Sequence, residues 1–141
     1  MTKEQAAKTV ARWWVTQMKS GSWDNGDAKC NAFAAICKGM ADKPSADSHA
    51  PVEAAIEKYM LENIEERQYS HKNELYSDYG CHRIDELAAS VGVKYNTMLH
   101  GPVKSGTTVE FTDGVFSVRA KSGYGGEWVQ LSPVADEVVV A

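Results

Sequence analysis

The side chains most able to do chemistry lie in one stretch near the middle of this 141-residue chain, residues 69 to 92. Cys81 is predicted to lie in the first turn of a short helix, where the helix dipole favours a thiolate, and His82 follows it. A catalytic base must hydrogen-bond its nucleophile, but consecutive helical residues point about 100° apart. His82 is therefore a poor base for Cys81. After folding, the base could instead be one of the three other histidines, His49, His71 or His100.

Cys30 and Cys37 invite a metal-site interpretation that their spacing excludes. Both fall on one face of a predicted helix, seven residues apart, so they stand about 10 Å apart along its axis. Two thiolates on one zinc ion lie within about 4 Å of each other. We therefore interpret these cysteines as small buried apolar residues, and the sequence predicts no metal and no cofactor.

Two glycine-rich stretches have the composition of phosphate-binding loops. The first, residues 101 to 108, has the letters of a P-loop in the wrong order and enters a strand instead of a helix. The second joins two predicted strands, where glycines permit positive φ in a long hairpin loop. A backbone nest for an anion is the alternative for this second loop, and its residues are Lys121, Gly123, Tyr124, Gly125 and Gly126.

These groups define one of two functional hypotheses. If Cys81 and His71 converge with the loop of residues 123 to 126, the protein is a small-molecule or anion-binding protein, or a cysteine-dependent enzyme. A pocket that brings them together would favour this hypothesis, and their separation would count against it.

The charge of the chain is concentrated in its middle third. The formal net charge is −4, and residues 42 to 86 carry five basic and eleven acidic side chains. A basic footprint marks nucleic-acid-binding proteins, so direct nucleic-acid binding is not expected. The acidic middle suits a protein partner with a basic surface, such as a nucleic-acid-binding enzyme. A solvated helix face is the simpler alternative.

The elements that must position these groups begin with an N-terminal helix. Thr2 and Gln5 have the spacing of a capping box, and apolar residues then recur at helical spacing, which predicts an amphipathic helix over residues 3 to 19. Trp13 and Trp14 point about 100° apart around this helix. One of them must face the core, and the other must lie at its edge.

Two further helices are predicted in the first half of the chain. Asp27 can cap the second, and Pro51 lies where helix starts tolerate proline. The third helix is predicted to bury an apolar face made of Ala55, Ile56, Tyr59, Met60 and Ile64. Its outer face is acidic, and we predict an interaction surface there that includes Glu62, Glu65 and Glu66.

A loop is predicted after the third helix, because residues 68 to 80 lack a clear period. Surface aromatic residues often anchor protein interfaces, although loop tyrosines also pack loops onto a domain. We add the three tyrosines of this loop, Tyr69, Tyr76 and Tyr79, to the predicted interaction surface. A short helix then runs from Gly80 to its left-handed terminator Gly92, with Cys81, Ile84, Leu87, Ala88 and Val91 facing the core.

After Gly92 the apolar pattern changes to alternation, which predicts strands. Residues 93 to 99 read as a strand or an extended connection. A hairpin follows, with a two-residue Asp113-Gly114 turn that pairs Thr112 with Val115. This register places Phe111 opposite Phe116 and Val109 opposite Val118 on the apolar face, and Glu110 opposite Ser117 and Thr108 opposite Arg119 on the other. Val129 and Leu131 are predicted to face inward in a further strand, and residues 137 to 140 to form a last edge strand or fray.

Length and composition predict a single domain of the α+β class. A chain of this size forms one core, with a helical part over residues 1 to 92 and a β part over residues 93 to 141. We expect three to four helices packed on an antiparallel sheet of three to five strands. There is no membrane-length apolar run, and we do not expect the N-terminal residues to act as a secretory signal, because they lack a continuous apolar region. The three cysteines do not indicate a disulfide framework, so a cytoplasmic location is expected.

The sequence from Asp78 to Leu131 carries a family resemblance. The motifs DYGCHRIDELAASVGV and SGYGGEWVQL resemble those of small accessory proteins carried by phages and mobile elements of gut bacteria. The resemblance implies a protein that acts by binding in the host cytoplasm, including inhibitors of host defence such as anti-CRISPR proteins. The leading hypothesis is therefore a non-enzymatic protein-interaction domain that uses the acidic third helix and the tyrosine-rich loop.

Overall fold

The computed structural model describes residues 1–20, 49–78, 80–102, 104–123 and 125–134. In this part of the chain the helices are α1 (Lys3–Ser20), α2 (His49–Asn63), α3 (His82–Ser90) and the single-turn α4 (Thr97–His100). The strands are β1 (Glu74–Ser77), β2 (Ser105–Thr112), β3 (Val115–Lys121) and β4 (Val129–Gln130), and a 3-10 turn (His71–Asn73) precedes β1. These elements confirm the predicted α+β class.

The four strands form one antiparallel sheet in the order β1-β2-β3-β4. One face of the sheet carries buried apolar side chains that belong to the same core cluster as the inner faces of α1, α2 and α3. The sheet contributes Leu75, Val109, Phe116 and Val118 to this cluster. One face of the sheet therefore packs on the helices, as the alternating hairpin pattern predicts.

Helix α1 begins with the predicted capping box and is tied to the sheet by a tryptophan. The Thr2 hydroxyl accepts from the Gln5 N–H at 3.1 Å, and the Gln5 side chain accepts from the Thr2 N–H at 2.9 Å. Trp14 has no exposed surface, and its indole N–H donates to the Thr107 hydroxyl at 3.0 Å. Trp13 lies half-buried at the edge, with its ring nearly perpendicular to that of Trp14. The predicted division of roles between the two tryptophans is confirmed.

Helix α2 is described from His49 and includes Pro51, near which its start was predicted. Ile56 and Met60 are fully buried as predicted, and Val52 joins them, which the sequence analysis did not predict. Ile64 is also buried as predicted, although it lies just past the helix end, whereas Ala55 and Tyr59 are only half-buried. The buried stripe of α2 therefore lies slightly to one side of the predicted one.

The stretch predicted as a loop after α2 contains strand β1, so that prediction is wrong. Only Leu75 and Ser77 alternate inward, and two inward positions are too few to stand out among polar neighbours. The stretch is held by Asn73, which is fully buried. Its side-chain oxygen accepts from the Glu65 N–H at 2.7 Å, and its amide group donates to the carbonyl oxygens of Glu65 at 2.9 Å and Val109 at 3.2 Å. Asn73 thus connects the end of α2 to β2.

Helix α3 ends as predicted, with Gly92 in the left-handed conformation at φ 76°. The Gly92 N–H donates to the Ala89 carbonyl and the Val93 N–H to the Ala88 carbonyl, both at 3.0 Å, which is the Schellman pattern. Ile84 and Ala88 face the core, but Val91 is 39% exposed. The prediction that Val91 faces inward is wrong, because the helix has already ended there and the chain turns outward.

The segment after α3 is an extended connection followed by a helical turn. Val93, Tyr95 and Thr97 are all buried, as the alternation predicts. At Thr97 the chain changes from extended backbone to the turn α4, so the prediction of extended backbone is wrong for residues 97 to 99. The Tyr95 hydroxyl donates to the Gly101 carbonyl at 2.8 Å, so the residues on either side of α4 are joined.

The β2-β3 hairpin has the predicted register at every pair from Thr108 and Arg119 to Thr112 and Val115. Its turn residues Asp113 and Gly114 have positive φ angles of 53° and 79°. These angles match the turn type whose twist suits a two-residue hairpin. The residues before it, 101 to 108, enter strand β2 and not a helix, so the P-loop is excluded on structure as well as on letter order.

The last described strand is short, and Val129 is less buried than predicted. Strand β4 contains only Val129 and Gln130, and Val129 is 56% exposed, so the prediction that it faces the core is wrong. Val129 lies opposite Ala120 at the margin of the sheet, beyond the part of the core cluster to which β3 contributes. Leu131 does pack against the core, and its N–H donates to the Val118 carbonyl at 2.8 Å.

Helices and strands are also interleaved more than the predicted division at residue 92 allows. Strand β1 precedes α3, and the turn α4 precedes β2. Several predictions fall outside the described residues: the second helix with Cys30 and Cys37, the edge strand at 137 to 140, and the side chains of Tyr79 and Tyr124.

Candidate functional site

The three predicted surface glutamates differ in their surroundings. Helix α2 ends at Asn63, so Glu65 and Glu66 do not continue its acidic face. Glu65 is half-buried and forms ion pairs with Arg67 at 3.1 Å and Lys72 at 3.5 Å. Glu62 and Glu66 are exposed, and neither makes an ion pair with any residue that the structure describes. Of these three glutamates, Glu62 and Glu66 therefore carry the negative charge that is available to a partner.

Tyr69 is the most exposed large apolar side chain in the described ranges. Its exposed fraction is 64%, and its ring meets the edge of His71 at a centroid distance of 5.7 Å. Tyr69 follows Glu66 by three residues, in the turn between α2 and β1. We name Glu62, Glu66 and Tyr69 the acidic-tyrosine surface. An exposed aromatic ring that lies close in sequence to carboxylates without described ion pairs has the composition of an interface anchor.

Tyr76 has a structural role that its sequence context did not reveal. It lies on the outer face of β1 opposite Gly106, and its exposed fraction is 36%. A Cβ atom at Gly106 would lie 2.4 Å from a ring carbon of Tyr76 and 2.8 Å from the Leu75 carbonyl oxygen. The ring therefore covers the space that the missing side chain leaves. Tyr76 packs on the sheet, away from the turn that carries Tyr69.

An open groove of about 590 Å³ lies between α2 and α3. Its walls include Ala54, Tyr59, Leu87 and Val91, and the charged residues Lys58 and Glu62 also line it. Sequence reasoning missed this groove. The signal was present in the small residues Ala54 and Ala55 on α2, which leave space beside a neighbouring helix, but a single helical pattern does not show which helix is the neighbour.

Glu62 belongs both to this groove and to the acidic-tyrosine surface. The groove also meets an ordered helix contact, because the Arg83 guanidinium of α3 lies over the Tyr59 ring of α2 at 5.1 Å. Arg83 in turn pairs with Glu86 at 3.0 Å. A cation-π contact therefore joins the two walls of the groove.

Cys81 does not have the surroundings of a nucleophile. It is buried, with 6% of its surface exposed, and its backbone N–H donates to the Thr97 hydroxyl at 2.6 Å. Burial raises the pKa of the Cys81 thiol above its ordinary value, the N–H groups of Ile84 and Arg83 act in the opposite direction, and the charge of Asp85 adds to the increase. Reactive cysteines require a lowered pKa and access.

Neither His82 nor His71 is placed to act as a base for Cys81. The His82 imidazole is exposed and lies 2.9 Å from the Glu86 carboxylate on the surface of α3. His71 precedes β1 at its Glu74 end, whereas Cys81 follows β1 at its Ser77 end. The structure therefore places the predicted nucleophile and its candidate base at opposite ends of a strand.

The glycine loop is likewise separated from His71. The loop follows Lys121. In the sheet, Lys121 pairs with Gly106, and Gly106 pairs with Tyr76. The loop therefore lies toward the Ser77 end of β1. Its N–H groups are partly used within the fold, since Gly123 donates to the Ser105 hydroxyl at 3.0 Å and Gly126 to the Gly123 carbonyl at 3.4 Å. His71 is therefore separated from the other two groups of the small-molecule hypothesis, which lie toward the Ser77 end of β1.

We predict that Cys81 reacts slowly with alkylating reagents in the folded protein. At pH 7 and with excess iodoacetamide, its modification rate, read from peptide mass spectrometry, should be on the order of tenfold below that of an exposed thiol, because burial reduces both access and the thiolate fraction. Unfolding the protein in guanidinium should restore the ordinary rate. Equal rates in the folded and unfolded protein would contradict the buried position.

The stability of the fold should decrease at alkaline pH. Burial, together with the charge of Asp85, raises the pKa of the Tyr95 phenol, and burial raises that of Cys81. Both groups therefore ionise in the unfolded chain first, near their ordinary pKa values of about 8.5 for cysteine and about 10 for tyrosine. Each stabilises the fold fully below that pH and loses this contribution as pH rises, by up to about 1.4 kcal/mol per pH unit.

Urea unfolding at pH 8 to 11 measures this loss. Above about pH 10, the free energy of unfolding should decrease less steeply with pH in Tyr95→Phe than in the wild type. This variant also lacks the hydrogen bond to Gly101. Tyr69→Phe removes an exposed tyrosine instead and is the matched control. Identical slopes in Tyr95→Phe and wild type would contradict the burial of the phenol.

A metal-binding cluster and a membrane-spanning helix are both absent from the described residues. Within residues 1–20, 49–78, 80–102, 104–123 and 125–134, no group of three or more His, Cys, Asp or Glu side chains could hold a metal ion. None of the described helices has the length and apolar character that crossing a bilayer requires.

Comparisons of the chain with protein-family models, curated proteins and solved structures found no match. The class of the protein is therefore defined by its fold alone: an α+β domain with helices on one face of a four-stranded antiparallel sheet.

Proposed function

We propose that this protein is a non-enzymatic interaction domain that binds a protein partner at the acidic-tyrosine surface. The observation that carries the proposal is the position of Tyr69, a 64% exposed aromatic side chain in the same turn as Glu66. Burying such a ring in a partner supplies the affinity of an interface anchor, about 2 kcal/mol or more in favourable cases. The burial of Cys81, with its raised pKa, argues against the competing cysteine-enzyme hypothesis.

The partner presents a basic surface. Glu62 and Glu66 are exposed without ion pairs to the described part of the chain, whereas Glu53 is paired with Arg12 and Glu65 with Arg67 and Lys72. Basic side chains on the partner would supply the missing counter-charges and steer the association. A nucleic-acid-binding enzyme has such a surface, and the resemblance to phage and mobile-element proteins supports a role as an inhibitor of a host defence enzyme.

A capture experiment tests the proposal. The tagged wild-type protein, immobilised and incubated with lysates of gut bacteria, should retain a specific protein that quantitative mass spectrometry identifies. Tyr69→Ala and Glu66→Lys should each reduce its retention by roughly tenfold or more, because the first removes the anchor and the second reverses a charge that faces the partner.

Glu127→Lys is the control for charge. It changes the net charge by the same amount as Glu66→Lys, at an exposed position in a different part of the chain, and should leave retention unchanged. All variants should melt at the wild-type temperature, since the substituted side chains are exposed. Equal retention by Tyr69→Ala and the wild type would exclude the acidic-tyrosine surface as the binding site.

A further inference from the structure

We draw no further inference here: the strongest candidate, the open groove between α2 and α3, is lined by both Lys58 and Glu62, whose opposite charges select no occupant, and nothing in the part of the chain that the structure describes shows what covers it.

Discussion

Replacing Asn73 by alanine should lower the free energy of unfolding by about 3 to 5 kcal/mol, since it removes three hydrogen bonds and leaves their partners without replacements in a buried site. The lost bonds are those to the N–H and carbonyl groups of Glu65 and to the Val109 carbonyl, at 2.7, 2.9 and 3.2 Å. This is a large part of the stability of a domain of this size, which is about 5 to 15 kcal/mol. Equilibrium urea unfolding measures the change.

Asn63→Ala is the matched control for Asn73. The Asn63 side chain donates one hydrogen bond, to the Tyr59 carbonyl at 2.8 Å at the end of α2, and its loss should cost about 1 kcal/mol or less. Asn73→Ala should also change the acidic-tyrosine surface, because the turn that carries Tyr69 is held at Glu65. Equal destabilisation by the two variants would contradict the role of Asn73 as the connection between α2 and the sheet.

Replacing Trp14 by alanine should lower the free energy of unfolding by about 3 to 5 kcal/mol, the range for large aromatic side chains removed from a core. Trp14 is fully buried between α1 and the sheet, and its removal also leaves the Thr107 hydroxyl without its donor. The change in unfolding free energy, measured in urea with circular dichroism as the probe, should therefore lie at the upper end of this range.

The adjacent Trp13 provides a control of the same size on the same helix. It is half-buried and packs its ring against that of Trp14 at a centroid distance of 5.2 Å. Trp13→Ala should therefore cost clearly less than Trp14→Ala. Trp14→Phe should recover most of the lost packing but not the hydrogen bond to Thr107. Its loss of unfolding free energy should therefore lie between those of Trp13→Ala and Trp14→Ala. A larger effect of Trp13→Ala would reverse the assignment of core and edge.

The parts of the fold that the sequence predicted correctly are those whose signals are local. The capping box at Thr2 and Gln5 and the hairpin turn at Asp113 and Gly114 involve residues within a few positions of each other, and their backbone geometry follows from their residue types. The hairpin register then follows, because a one-residue shift would move Phe111 and Val109 to the other face.

The parts that were missed depend on distant partners. Strand β1 forms because Leu75 and Ser77 find β2, about 30 residues further along the chain, and because Asn73 finds the Val109 carbonyl. Val91 and Val129 have the residue type of core positions, but what covers a side chain is decided by the packing of other elements. A period in one segment does not contain that information.

The features of the candidate site divide in the same way into those with local signals and those that depend on distant partners. Exposure of Tyr69 and Glu62 was predictable from a polar, aperiodic stretch after an amphipathic helix. The ion pairs of Glu65 and the covering of Gly106 by Tyr76 were not, since they require the fold of the turn and the strand register. The groove between α2 and α3 depends on which two helices are neighbours. The proposed function therefore uses Glu62, Glu66 and Tyr69 from the predicted interaction residues.

The most direct test of the proposed binding site is the dissociation constant of the partner that the capture experiment identifies. The purified partner is titrated into three proteins and the binding heat is measured. They are the wild type, the double variant Tyr69→Ala/Glu66→Lys, and Glu127→Lys, which makes the same change in net charge at a different position. The dissociation constant of the double variant should be on the order of a hundredfold larger than that of the wild type, equivalent to about 2.7 kcal/mol. The dissociation constant of Glu127→Lys should equal that of the wild type. Equal dissociation constants for the double variant and the wild type, with both proteins folded, would contradict the proposed binding site.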